Sequence, residues 1–201
     1  TAVAVLTLAL GIGGTTAIFS VLYSLVLDPF PYPDSHRMAA LVSHDPPQGG
    51  QGHWARVSAA EFLDYQEQNH VFDEVIGAAG EEGVRLTGGE VPENLIGMRV
   101  TGNSFRVLGV PPLIGRPITP EDCKAGAPPV FVLGHKAWRE KFGADPGIVG
   151  QTLILNRRPT TVVGIMPPRF GWEGGDIWLP AILSHGQAAD QHLRFSVIGR
   201  L

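Results

Sequence analysis

The first 27 residues, TAVAVLTLALGIGGTTAIFSVLYSLVL, contain no Asp, Glu, Lys, Arg, His, Asn, Gln or Pro. An uncharged apolar run of that length predicts a membrane-spanning helix. At 1.5 Å per residue it reaches about 40 Å against a hydrocarbon core of about 30 Å, so it tilts or projects a turn or two beyond the bilayer. Its Val, Leu, Ile and Phe residues favour insertion by roughly 4 to 8 kcal/mol before the Thr, Ser and Gly costs. Inside the run Gly13, Ala17, Ser20 and Ser24 follow i, i+4, i+7, i+11 spacing, which puts them in one narrow stripe. Small stripes in lipid are helix-packing faces, because backbones approach closely there and hydroxyls bond across helices. A cleaved secretory signal fits poorly, since the run is too long and lacks a basic start. Gly11-Ile12-Gly13-Gly14-Thr15-Thr16 imitates a dinucleotide fingerprint, but Thr16 stands where the third glycine belongs.

Beyond Leu27 the pattern changes. Residues 28 to 37, DPFPYPDSHR, alternate prolines with aromatics, which ends the helix and predicts an extended linker. Phe30 and Tyr32 fall where interfacial aromatics are enriched. MAALVS (38–43) reads as a buried strand and DPPQGGQGH as a loop. Ser58 with Glu61 forms a capping box that opens a helix to about Asn69, with Ala59, Phe62 and Leu63 on its buried side. Short β runs follow at 74–79, 84–87 and 93–100, the last two joined at Gly88-Gly89. Asn103 is placed as the cap of a short helix, SFRVLG, and GVPPLIGRPITP (109–120) as a rigid connector. VFVL (130–133) reads as a strand, HKAWREKFG (135–143) as a helix stopped by Gly143, residues 151–166 as two strands about an Asn-Arg-Arg-Pro turn, and 194–201 as a last strand. The fold class is α+β. The expected organisation is a transmembrane helix over 1–27, a proline-rich stalk over 28–37 and a domain over 38–201.

Charge and chemistry narrow the function. A formal net charge of −4 argues against a nucleic-acid partner, which calls for a basic patch or stripe. Asp28, Asp34 and Asp45 outweigh Arg37 beside the span, which favours an extracytoplasmic domain, since cytoplasmic flanks are rich in Lys and Arg. The single cysteine, Cys123, rules out an internal disulfide framework within these residues. The seven histidines lack HExxH spacing, and neither GxxxxGK[ST] nor GxSxG occurs. Glu81-Glu82 and Glu121-Asp122 sit in Gly/Pro-rich loops, where solvated turns are the ordinary reading. No catalytic, cofactor-binding or metal-binding residue is assigned. The four tryptophans read as core or joint fillers, with Trp172 in the glycine-flanked RFGWEGGD loop also a candidate partner contact.

The run GIGGTTAIFSVLYSLVLDPFPYPDSHRMAAL resembles the start of the MacB-type periplasmic core domain of ATP-binding-cassette permeases (FtsX/MacB-like permeases). NSFRVLGVPPLIGRPITPED, LGHKAWREKFGADPGIVGQTLILNRRPTTVVGIMPP, DIWLP and FSVIGRL resemble its later blocks in the same order. Gly13-Gly14-Thr15 and Arg157-Arg158 depart from the usual pattern. The resemblance implies an N-terminal fragment of a permease in the bacterial inner (cytoplasmic) membrane. Its periplasmic domain would have a βαβ-containing core and an inserted, mainly β lobe at about 74–128. By resemblance, further permease spans, a second permease copy, a separate ATP-binding-cassette nucleotidase, a periplasmic partner and membrane lipid are the expected partners. The implied role is non-catalytic transmission of ATP-driven motion to substrate export or release. The alternative is a single-span membrane-anchored extracytoplasmic binding or adaptor module.

Overall fold

The computed structural model of the chain describes residues 2–22, 32–44, 54–87, 92–184 and 193–201. They fall into two units, Thr1–Pro31 and Tyr32–Leu201.

The first unit is helix α1, Ala2–Leu22, 21 residues without a charge. Val5, Ile12, Ile18 and Phe19 are each more than half exposed. The hydroxyl of Thr15 donates back to the carbonyls of Gly11 and Ile12 at 2.9 and 3.0 Å, so it needs no outside partner. Among the described residues no helix is long and apolar enough to cross a membrane. Residues 23–27 of the expected span lie outside the described residues.

The second unit begins with a 3₁₀ turn, Ser35–Arg37, and strand β1, Met38–Leu41. Short strands β2 (Ser43–His44), β3 (Trp54–Ala55) and β4 (Val57–Ser58) lead to helix α2, Ala59–Gln68. The capping box is present: Ser58 Oγ accepts from the Glu61 amide at 3.3 Å, and Glu61 Oε2 accepts from the Ser58 amide at 2.7 Å. Ala59, Phe62 and Leu63 form the buried side as expected. Next come β5 (Glu74–Thr87), β6 (Glu93–Val100), α3 (Ser104–Leu108), β7 (Ile114–Gly115) and β8 (Val130–Leu133). Helix α4 (His135–Phe142) ends on Gly143 at φ 59°, a left-handed cap that suits glycine. The chain finishes with β9 (Thr152–Leu155), β10 (Arg158–Ile165), β11 (Ile177–Pro180) and β12 (Arg194–Arg200).

Local readings gave way to tertiary context at several points. The runs at 74–79 and 84–87 are one strand, β5, with a bulge between Glu81 and Val84. The joint at Gly88-Gly89 lies outside the described residues. The segment 38–43 yields a half-buried edge strand instead of a buried one. Asn103 takes the N-cap position of α3, but its side chain makes no capping bond: its Oδ1 accepts from the Thr101 hydroxyl, and its amide donates to Glu74 Oε2 and to the carbonyl of Val75.

Among the described residues ten strands form one sheet in the order β1-β12-β5-β6-β11-β8-β10-β7, with β4 on β12 and β9 bridging β10 to β5. Parallel pairing of β8 with β10 across α4 supplies the expected βαβ unit. The inserted β lobe is not set apart. Its strands β5 and β6 sit in the middle of the sheet. The reason is the length of β5: its first half pairs with β12, and its far end, Leu86 and Thr87, pairs with Leu155 and Ile154 of β9. Six strands therefore close a ring, β5-β6-β11-β8-β10-β9 and back to β5. Val84, Leu95, Phe131, Leu133, Leu155, Val162 and Ile177 pack together with Ala137 and Trp138 of α4. Closure removes exposed edges along that circuit.

Candidate functional site

Two places in the Tyr32–Leu201 unit combine geometry that a function can use: the start of the unit and one mouth of the strand ring.

At its start the chain is held firmly. Tyr32 packs edge-on to Phe170 with ring centroids 6.0 Å apart, and Phe170 in turn meets Phe105 at 5.8 Å and Trp178 at 4.9 Å. Burial, helped by the charge of Glu173, pushes the Tyr32 phenol up to about 12, so it stays neutral. Asp34 adopts φ 57°, which turns the chain so that the Arg37 amide donates to the Asp34 carbonyl at 2.9 Å. Ion pairs join Arg37 to Asp73 at 3.2 Å and Arg200 to Asp34 at 3.5 Å. The Leu201 amide donates to the Arg37 carbonyl at 2.8 Å, so the first and last strands are clamped side by side. Arg106 grips Glu74 with two bonds of 2.6 Å on the next strand. Residues 32–37 of the expected linker are thus packed onto the domain, and Tyr32 is a core anchor and not an interfacial aromatic. Residues 28–31, Phe30 among them, lie outside the described residues. Pro-aromatic alternation gave no hint of this, because the ring cluster that receives Tyr32 comes from residues 105, 170 and 178.

The proposed packing stripe is only partly described. Gly13 is exposed, and a Cβ there would meet nothing within 4 Å. Ala17 and Ser20 lie in α1, and Ser24 lies outside the described residues. Trp172 is 4% exposed and belongs to the aromatic core, so it is no surface contact for a partner. Its 3₁₀ turn, Trp172–Gly174, folds the indole inward, and its carbonyl accepts from Trp178 Nε1 at 3.3 Å. Trp138 and Trp178 are likewise buried, as core-filling rings should be. Cys123 is half-buried, and burial with the nearby Asp122 charge raises its thiol to about 11. A thiol so protonated is a poor nucleophile.

The ring mouth was not foreseen. Alternate residues of a strand share a face: on β6 these are Leu95, Gly97 and Arg99, on β10 Val162, Thr160 and Arg158, and on β11 Ile177 and Leu179. Deep in the ring the series is apolar, while at its open end it turns to arginine. A cavity of about 380 Å³ lies there, with Arg99, Arg158, Thr160, Leu155 and Leu179 in its wall. Arg99 donates to the Pro180 carbonyl at 3.3 Å. Asp122 also borders the cavity, but Arg116 binds its carboxylate twice, at 2.7 and 2.9 Å, and the Thr119 amide and hydroxyl add bonds of 2.8 and 2.9 Å. Burial acts to raise the Asp122 carboxyl, yet these donors outweigh it and hold it below the usual range.

These features define a mixed α/β domain clamped at its first strand and closed by a six-stranded ring, with no assigned catalytic group. The sequence model of the MacB-like periplasmic core domain matches residues 1–199, and the chain belongs to that family. No curated protein matches it. Among solved structures it is similar to a domain of a putative permease protein from Porphyromonas gingivalis, at 16% identity and TM-score 0.64, covering 85% of this chain and 75% of that one. It is also similar to the periplasmic region of MacB from Actinobacillus actinomycetemcomitans, at 18% identity and TM-score 0.58, covering 82% and 73%. A third likeness is to the extracellular domain of the noncanonic ABC-type transporter YknZ from Gram-positive bacteria, at 11% and 0.58, covering 81% and 83%. At such identities these likenesses bear on the fold.

Proposed function

We propose that the chain is the first span and periplasmic domain of an ATP-binding-cassette permease of the bacterial inner membrane. In this reading α1 crosses the membrane, and ATP hydrolysis by a separate nucleotidase moves it. The domain converts that motion into export or release of a substrate, without chemistry of its own. Family membership supports the domain's place in such a system. The uncharged 21 residues of α1, about 31 Å long, support the span.

The observation that carries the mechanical role is the clamp at the start of the unit. A flexible linker would absorb a small displacement of the stalk. Here Tyr32 is seated among aromatic rings, and the paired first and last strands are tied by Arg37–Asp73 and Arg200–Asp34. A push arriving at residue 32 therefore reaches β1, β12 and β5 as one body. The packing stripe of Gly13, Ala17, Ser20 and Ser24 would let further permease spans, or a second copy, grip the helix.

The test uses the full-length permease reconstituted with its nucleotidase. Three Gly-Ser residues inserted before Tyr32, or Tyr32→Ala, should abolish substrate-stimulated ATP turnover while leaving basal turnover intact. Ala17→Leu should weaken assembly, whereas Leu22→Phe should not. Unchanged stimulation in the insertion variant would refute mechanical transmission and favour a membrane-anchored binding module.

A further inference from the structure

We infer that residues 169–175 form a strap that Tyr32 pins shut, and that withdrawing Tyr32 lets the strap lift with Phe170 and Trp172 together. The use of that movement in transport rests on the transmission proposed above. The coupling of Tyr32 to the strap is a separate property of the domain. Three observations converge on it.

The first is how the strap is attached. Between β10 and β11 the chain runs over the surface, with Arg169, Gly171, Glu173 and Gly174 exposed and Phe170 and Trp172 inserted, at 6% and 4% exposure. The amides of Phe170, Gly174 and Gly175 donate to the carbonyls of Pro167, Gly171 and Trp172 at 3.3, 2.9 and 3.4 Å. None of these bonds belongs to the sheet ladder, so lifting the strap leaves the ladder whole. The inserted rings hold it down, helped by Glu173, whose Oε2 accepts from Arg56 Nη2 at 3.3 Å and from the Ser196 hydroxyl at 3.1 Å.

The second is that the shut position carries strain. Trp172 Nε1 is buried and has no hydrogen-bond partner among the described residues, a donor that water satisfies once the strap lifts. Arg169 and Glu173 have φ of 69° and 56°, the left-handed region that is costly for a residue with a Cβ. Each feature offsets part of what burial of the two rings contributes. The balance between shut and lifted is then open to control by a single contact.

The third is that one such contact lies where the chain enters the unit. Phe170 meets the rings of Tyr32, Phe105 and Trp178. Phe105 and Trp178 are buried on α3 and β11 and stay with the domain. Tyr32 is only partly buried and is the first residue of the unit, so a pull on the preceding chain reaches it first. Withdrawing it takes one ring from Phe170 and no bond from the sheet.

The test is hydrogen–deuterium exchange by mass spectrometry on the full chain in phosphatidylcholine nanodiscs. Tyr32→Ala should speed exchange in peptides covering 169–175 by about tenfold or more. Exchange in α3, which packs on the same ring through Phe105, and in β12 should stay as it was. Asp73→Ala, which breaks the ion pair with Arg37 but touches no ring, should leave the strap unchanged. Should Tyr32→Ala lower the melting temperature, Tyr32→Leu replaces it. Unchanged exchange at 169–175 in the Tyr32 variants, an equal rise in α3, or an equal rise with Asp73→Ala would each overturn the inference. If the strap is unchanged while substrate-stimulated ATP turnover is lost, the inference fails and transmission through β1 and β12 stands. A faster strap with stimulation intact would uphold the coupling and refute its use in transport.

Discussion

Adding a single methyl group at Gly97 tests the packing of the ring's inward face where β5, β6 and β11 run side by side. Gly97 lies on β6 at an inward position, and a Cβ built there would sit 2.4 Å from Val84 Cγ2 and 3.4 Å from Leu179 Cδ1. Ordinary carbon contacts are about 3.5 to 4.0 Å. Val84 is 1% exposed and β-branched, so it has neither room nor a spare rotamer to yield. Overpacking of this kind costs about 1 to 3 kcal/mol, while alanine in a strand interior regains about 0.5 to 1 kcal/mol relative to glycine. Gly97→Ala should therefore destabilise by about 1 to 2 kcal/mol net, lowering Tm by roughly 2 to 8 °C for a domain of this size. Gly80 on neighbouring β5 is the control, because a Cβ there meets nothing within 4 Å. The measurement is thermal unfolding of the detergent-solubilised chain followed by tryptophan fluorescence, which reports on buried Trp138, Trp172 and Trp178. A double-mutant cycle with Val84→Ala should show coupling of at least about 1 kcal/mol, since the smaller side chain removes the clash. If Gly97→Ala melts like Gly80→Ala, or the cycle shows no coupling, Val84 and Gly97 do not pack against each other on the inward face of the β5–β6 pair beside its bulge.

Two further outcomes follow from the turn and from the buried carboxylate. Asn156 and Arg157 have φ of 49° and 65°, the geometry of a two-residue hairpin turn that favours Asn-Gly. Relieving the left-handed arginine, at about 1 to 2 kcal/mol less the extra chain entropy of glycine, should make Arg157→Gly more stable by about 0.5 to 1 kcal/mol. A urea midpoint that fails to rise at unchanged m would contradict the turn assignment. The Asp122 carboxyl, held below its unfolded range by Arg116 and Thr119, contributes stability that is fully present above about pH 4 and lost as pH falls through its lower folded value. Arg116→Ala should cost about 1 kcal/mol at pH 7, discounted because Arg116 is 47% exposed, and should flatten the acid limb of the stability curve. An acid limb identical to that of the unaltered chain would show that the pair contributes nothing.

The sequence by itself determined what depends on residues a few positions apart. Ser58 and Glu61 are three residues apart, so their reciprocal bonds could be read before any fold was known. Gly143 stops α4 because no other residue takes its left-handed geometry as readily. Short β-rich and apolar runs placed β6, β8 and β12 to within a residue, and the ordered family blocks settled the class. Tertiary structure decided everything that turns on partners far along the chain. The pleat fixes which residues share a face but not which face becomes interior. Only the pairing of Leu86 with Leu155 closes the ring and makes Arg99 and Arg158 neighbours at its mouth. Tyr32 looks like a linker aromatic until Phe170 is seen to receive it, and Asn103 sits at the N-cap of α3 without a side-chain cap because the Thr101 hydroxyl takes its Oδ1. Trp172 reads as a loop residue, yet a large apolar ring beside a cluster from three other segments gains more by burial than by exposure.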